Sequence, residues 1–170
     1  MARTLTTPQM LEATSTFVPM PRDEVENEAN IMFLGDTRIS IPPMSEATLG
    51  PSFIRVPSRF DGARYFAITG HEHQWGTDVY VEVTEGEGMA GTPIYDLPFF
   101  LWDEPETVVY DPPFEIPSGG GFNLTCSWSN LSDQQVGFGT SVNDEMCFIW
   151  AYYFPSQGPL ICAGGLGGCN

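Results

Sequence analysis

The chain has 170 residues, 22 of them acidic and 6 basic, for a formal net charge of -16. That length suits one domain with its own core, and the charge argues against nucleic acid or an anionic membrane as a partner, since both attract basic patches. Hydrophobic residues make up 42% alongside 18 Gly and 15 Pro, the balance of a turn-rich all-β domain. No run reaches the roughly 18 apolar residues of a membrane span.

The first residues, Met1 to Thr7, lack the continuous apolar stretch of a secretory signal. The expectation is therefore either a cytosolic chain or a mature or trimmed form of an extracytoplasmic one. The 4 cysteines favour the second. Cys126 and Cys147 fall on predicted strands and Cys162 and Cys169 in a Gly-rich tail. Three pairings are open to them. No Cys-x-x-Cys pair is present, which argues against a zinc site.

In chain order, residues 1 to 30 are polar and acidic and show no sustained period, so we read them as an arm or a short strand, able to contact a neighbouring subunit. Ile31 to Leu34 and Thr37 to Ile41 read as strand material closed by Pro42-Pro43. Ser52 to Val56 is the next candidate, stopped by Pro57. Ala63 to His73 reads as a strand with Phe66 and Ile68 on its core face. The apolar set then shifts to Val79, Val81 and Val83, which predicts a turn or bulge near Trp75-Gly76 and a hairpin holding what precedes it at a sheet end. Glu85 to Gly88 is a turn, and Pro98 to Trp102 and Thr107 to Tyr110 are short strand candidates. Phe122, Leu124, Cys126 and Trp128 alternate cleanly on one face of a strand. A polar loop follows, and Glu145 to Phe154 forms the last strand, aromatic on both faces. Short strands separated by Pro and Gly predict an antiparallel β-sandwich of jelly-roll type over residues 31 to 162, with residues 163 to 170 as a tail.

The only two histidines, His71 and His73, lie two apart. On a strand both point to one face and Glu72 to the other, so the imidazoles make half a metal site. Glu72 is expected to face solvent or to bond the sheet edge. Phosphate-cradling and serine-triad motifs are absent, and Asn123-Leu124-Thr125 and Asn130-Leu131-Ser132 match glycosylation sequons.

His71-Glu72-His73, followed by Asn143-Asp144-Glu145-Met146-Cys147 running into Tyr152-Tyr153-Phe154-Pro155, resembles the C-terminal domain of the copper type II ascorbate-dependent monooxygenases. The Ile41-Pro42-Pro43 step and the Cys126 strand occur in the same order. The resemblance implies one copper per chain, held by His71, His73 and Met146, with ascorbate or another reductant supplying electrons. Imidazole suits both copper oxidation states, and a thioether favours Cu(I). The resemblance also pairs Cys147 with Cys126, and we read Cys162 with Cys169 as the second bridge. Asp144 and Glu145 are candidates to cap a loop or to orient a ligand histidine.

Two departures shape the functional expectation. The family's full reaction uses a second copper held by three histidines of a separate N-terminal domain, and this chain has only two histidines in all. A partner domain or subunit would have to supply that site. The peptide-hydroxylating members also hold a substrate carboxylate with an Arg before the first His and an Asn and a Tyr after Met-Cys. Here those places carry Thr69, Phe148 and Trp150, which implies an apolar or aromatic-lined pocket instead. The expected function is the oxygen-activating half of a copper monooxygenase. The alternatives are a non-catalytic copper-binding or delivery protein, and a structural jelly-roll module assembled through its ends, as a homo-oligomer.

Overall fold

A computed structural model describes residue 12 and residues 14 to 165. Among these, the strands are β1 (Asn30–Asp36), β2 (Ser40–Ile41), β3 (Ser45–Arg55), β4 (Arg64–His71), β5 (Gly76–Thr84), β6 (Gly91–Tyr95), β7 (Thr107–Glu115), β8 (Gly121–Asn130), β9 (Val136–Gly137), β10 (Phe148–Phe154) and β11 (Leu160–Gly164). They form a five-stranded sheet in the order β11-β1-β10-β4-β7, a four-stranded sheet in the order β3-β8-β5-β6, and the small pair β2-β9. Apart from the parallel pairing of β11 with β1, the ladders are antiparallel. This is the expected β-sandwich. In the larger sheet no two neighbouring strands are consecutive in sequence, so the chain crosses repeatedly between layers, as a jelly roll requires.

The core lies between the two larger sheets. β8 contributes Phe122, Leu124, Cys126 and Trp128, and β5 contributes Val79 and Val81. Facing them are Met32 and Leu34 of β1, Ile68 of β4, and Ile149, Ala151 and Tyr153 of β10, all essentially buried. The Cys126–Cys147 disulfide forms as expected, with a sequence separation of 21. It ties the middle of β8 to the residue before β10 and so staples one sheet to the other. Closing a loop of that length is worth about 3 kcal/mol by chain entropy. Cys162 is not a free thiol, and Cys169 lies outside the described residues.

Several elements depart from expectation. Pro98 to Trp102 forms bends and turns, and the strand after the Glu85 to Gly88 turn is instead β6. β3 begins at Ser45 and runs through Pro51, which it tolerates because it is the edge of its sheet and shifts register between Leu49 and Ser52. β7 continues through Pro112 and Pro113 to Glu115 at the edge of the other sheet for the same reason. β4 carries an extra residue opposite β10 between Tyr65 and Ala67, and opposite the same step β7 is the strand with surplus residues, between Val109 and Phe114. Tyr65 and Ile68 therefore both face the core, while Phe66 turns outward against Tyr152 and Phe154. The expected hairpin after His73 is also absent. β4 and β5 belong to different sheets, so their connection spans the end of the sandwich.

The described residues before Asn30 are exposed and contain a short 3-10 turn, Arg22–Glu24. Among the described residues no helix is long and apolar enough to cross a membrane.

Candidate metal centre

β4 ends at His71, held there by pairing with Phe148 of β10. His73 follows in the crossing loop, outside any strand. The shared face of the two imidazoles is therefore set by the loop, and what sets the loop is Glu145. Its fully buried carboxylate accepts hydrogen bonds from His73 N at 2.9 Å, Trp75 N at 2.8 Å, Trp128 Nε1 at 3.0 Å and its neighbour Met146 N at 3.2 Å. Oε2 alone receives the His73 and Met146 amides, so one oxygen ties the histidine loop to the Met-Cys segment. That segment is fixed in turn by the end of β9 and the residues just after it, through Glu145 N to Gly137 O at 2.9 Å and Gly139 N to Glu145 O at 3.2 Å. Burial pushes the Glu145 carboxyl upward and the four donors pull it back.

The histidine rings stand nearly perpendicular, at 84°, with centroids 5.3 Å apart. A metal–imidazole bond of about 2.0 Å puts each centroid about 3.2 Å from the ion, so two ligands at a tetrahedral angle have centroids about 5.2 Å apart. The observed spacing fits a shared ion. His73 Nδ1 lies 3.1 Å from the Asp144 carbonyl oxygen. A carbonyl only accepts, so the proton sits on Nδ1 and the Nε2 lone pair is left for a ligand bond. Burial, and then the neighbouring His73, hold His71 below its ordinary value, which keeps that imidazole neutral as metal binding needs. Among the described residues no three His, Cys, Asp or Glu side chains are grouped to hold a metal. A third protein ligand among them would come from another residue type, and half-buried Met146 is tied beside His73.

Asp144 and Glu145 divide the roles expected of them. The Asp144 side chain caps its own loop by accepting from Ser141 N at 3.1 Å, and its main-chain carbonyl orients the His73 ring. Trp75 and Trp128 were not foreseen. Trp128 lies on the core face of β8, and only the tertiary arrangement brings its indole to Glu145.

Glu72 reverses its expectation. It is 1% exposed, and neither carboxyl oxygen has a hydrogen-bond partner. The loop passes between the sheets, so the side chain opposite the histidines points into the protein. It lies against Gly76, where a Cβ would collide with it; the close approach demands glycine. Burial, followed by the negative charges of Glu145 and Asp78, pushes its pKa to about 10, while the main chain at Asp78 and Ser127 favours the ionised form without completing a hydrogen bond. A carboxyl raised from 4.5 contributes full stability below about pH 4.5 and loses it as the pH climbs toward 10. Glu72→Gln removes that slope. We expect the variant to gain on the wild type by on the order of 2 kcal/mol between pH 5 and pH 7, read from urea unfolding at the two pH values.

The remaining expected pocket residues lie beside His71 on the outer face of the larger sheet. Thr69 Oγ1 bonds Thr107 Oγ1 at 2.7 Å. Phe148 is 3% exposed beneath Phe33, stacked at 4.3 Å. Trp150 packs on Phe33 at 4.3 Å and meets the His71 ring edge-on at 6.5 Å. Two concavities, of about 350 and 460 Å³, are lined by neither histidine.

Comparison with curated proteins finds no match. The family model for the copper type II ascorbate-dependent monooxygenase C-terminal domain matches residues 27–165, which spans β1 to β11, both halves of the candidate centre and the disulfide. The chain belongs to the copper type II ascorbate-dependent monooxygenase family, through that family's C-terminal domain.

Proposed function

We propose that the domain binds one copper ion through His71, His73 and Met146 and serves outside the cytoplasm as the oxygen-activating half of a monooxygenase. The observation that carries this reading is the bond of His73 N and Met146 N to one oxygen of Glu145, beside a histidine pair at ligand spacing. Copper held there would supply reductive activation of dioxygen, with ascorbate or a similar donor providing electrons. The protein's own part is positional. Asp144 keeps the His73 proton on Nδ1, burial keeps His71 neutral, and the disulfide holds the Met146 segment against β8. The inter-sheet disulfide also supports an oxidising compartment.

Hydroxylation of a C–H bond needs a second electron, and with two histidines the chain cannot build a three-histidine relay of its own. A partner domain or subunit bearing that site is part of this proposal. The same count favours a second reading, in which the isolated domain captures or delivers copper. Copper titration of the full chain should give one Cu(I) per chain, and His71→Ala with His73→Ala should abolish it. Retention of the metal by the double variant would remove the site. Ascorbate-driven hydroxylation only when a three-histidine partner is added supports the monooxygenase reading, whereas copper transfer to an acceptor with no hydroxylation supports delivery.

A further inference from the structure

The two Asn-x-Ser/Thr triplets meet opposite fates in the fold. Asn130 is fully buried, and both ends of its amide are engaged. Its Nδ2 donates to the carbonyls of Pro42 at 3.0 Å and Gln134 at 2.8 Å, and its Oδ1 accepts from Ser132 N at 3.0 Å and Ser132 Oγ at 2.7 Å. A sugar on Nδ2 would remove a donor from the interior and require space for a pyranose there. A chain modified at Asn130 therefore cannot reach this fold.

Asn123 stands on the outward face of β8, between Phe122 and Leu124, which point inward and are fully buried. Its Nδ2 makes one long contact, 3.4 Å to Glu82 Oε2. Strand register sets Phe53 on one side of it and Glu82 on the other. Together they line a surface concavity of about 370 Å³ that also takes in Pro51, Glu87 and Met89. Met89 is 50% exposed and the Phe53 ring half-buried, with the Arg55 guanidinium over part of that ring, 5.6 Å from its centroid: an apolar floor with charged groups at its rim. A pyranose bears an apolar C–H face and hydroxyl donors at its edge, the chemistry such a floor and rim accept.

We infer that Asn123 is the acceptor of an N-linked glycan, with its first N-acetylglucosamine laid over Phe53, when the chain passes through a secretory pathway. The donor is a polyprenyl-diphosphate-linked oligosaccharide. Asn123 Nδ2 attacks C1 of the first sugar, forming the N–C1 bond and breaking C1–O. The lipid diphosphate leaves, and Nδ2 gives up one proton. The modification is independent of the metal.

The test is secretion of the full chain from a eukaryotic cell, with the glycan removed enzymatically in heavy-oxygen water so that each modified Asn gains a mass label. The label should appear at Asn123 and not at Asn130, and Asn123→Gln and Thr125→Ala should each abolish the glycan while leaving secretion intact. Secreted, folded protein unmodified at Asn123, or labelled at Asn130, overturns the inference. Loss of the glycan through Asn123→Gln should also lower the Tm of the wild type by a few degrees but not that of Phe53→Ala; an equal loss in both, or none in the wild type, overturns the placement of the sugar over the ring.

Discussion

Glu145→Gln is expected to lower the unfolding free energy by about 3 kcal/mol, or the Tm by roughly 10 °C for a domain of this size, and to weaken Cu(I) binding by about 10- to 100-fold. The carboxylate offers only acceptors to the amides of His73, Trp75 and Met146 and to the Trp128 indole. Glutamine keeps the volume but turns an NH2 group toward donors, leaving at least one buried N–H facing another. The loop carrying His73 and the segment carrying Met146 then lose their common anchor. Calorimetry and competition with a colorimetric Cu(I) chelator measure the two effects. Asp144→Ala is the informative contrast, because Asp144 reaches the His73 ring through its main-chain carbonyl and the variant should keep most of the affinity. A Glu145→Gln protein with wild-type Tm would show that the anchor carries no strain-bearing role.

Met146→Ala is expected to reduce Cu(I) affinity by about 100-fold, near 2.7 kcal/mol, with Cu(II) affinity changed less than about tenfold, because a thioether discriminates in favour of the softer ion. Met146 is only half-buried, so the truncation should cost the fold no more than about 2 kcal/mol, and the two effects separate when affinity and Tm are measured on the same samples. Unchanged Cu(I) affinity removes Met146 from the ligand set.

Legibility in the sequence followed how local each cause is. β8 was readable because its inward residues alternate without interruption, and all four are buried. β6 was hidden because Gly91 and Pro93 punctuate it, and as the edge of its sheet it tolerates them. β11 was hidden in a Gly-rich stretch whose strand character comes from pairing with β1, well over a hundred residues away. The outward turn of Phe66 could not be read from alternation, because a bulge adds one residue and exchanges the faces on either side of it.

For the centre, residue types and spacing alone nominated the His pair, because metal affinity is a property of the imidazoles themselves, while Met146 entered only through the likeness to a family. The likeness to a family supplied the pairing of Cys126 with Cys147, and the bond is present. Whether Glu72 faced water or protein was a different kind of question. Its burial follows from β4 and β5 lying in different sheets, so that the chain crosses the end of the sandwich where a hairpin would have stayed on its rim. The joint hold of Glu145 on His73, Trp75, Trp128 and Met146 likewise joins groups from three separate stretches of chain. Sequence determines which donors exist and which strands can form; only packing two sheets face to face decides which of those donors share an acceptor.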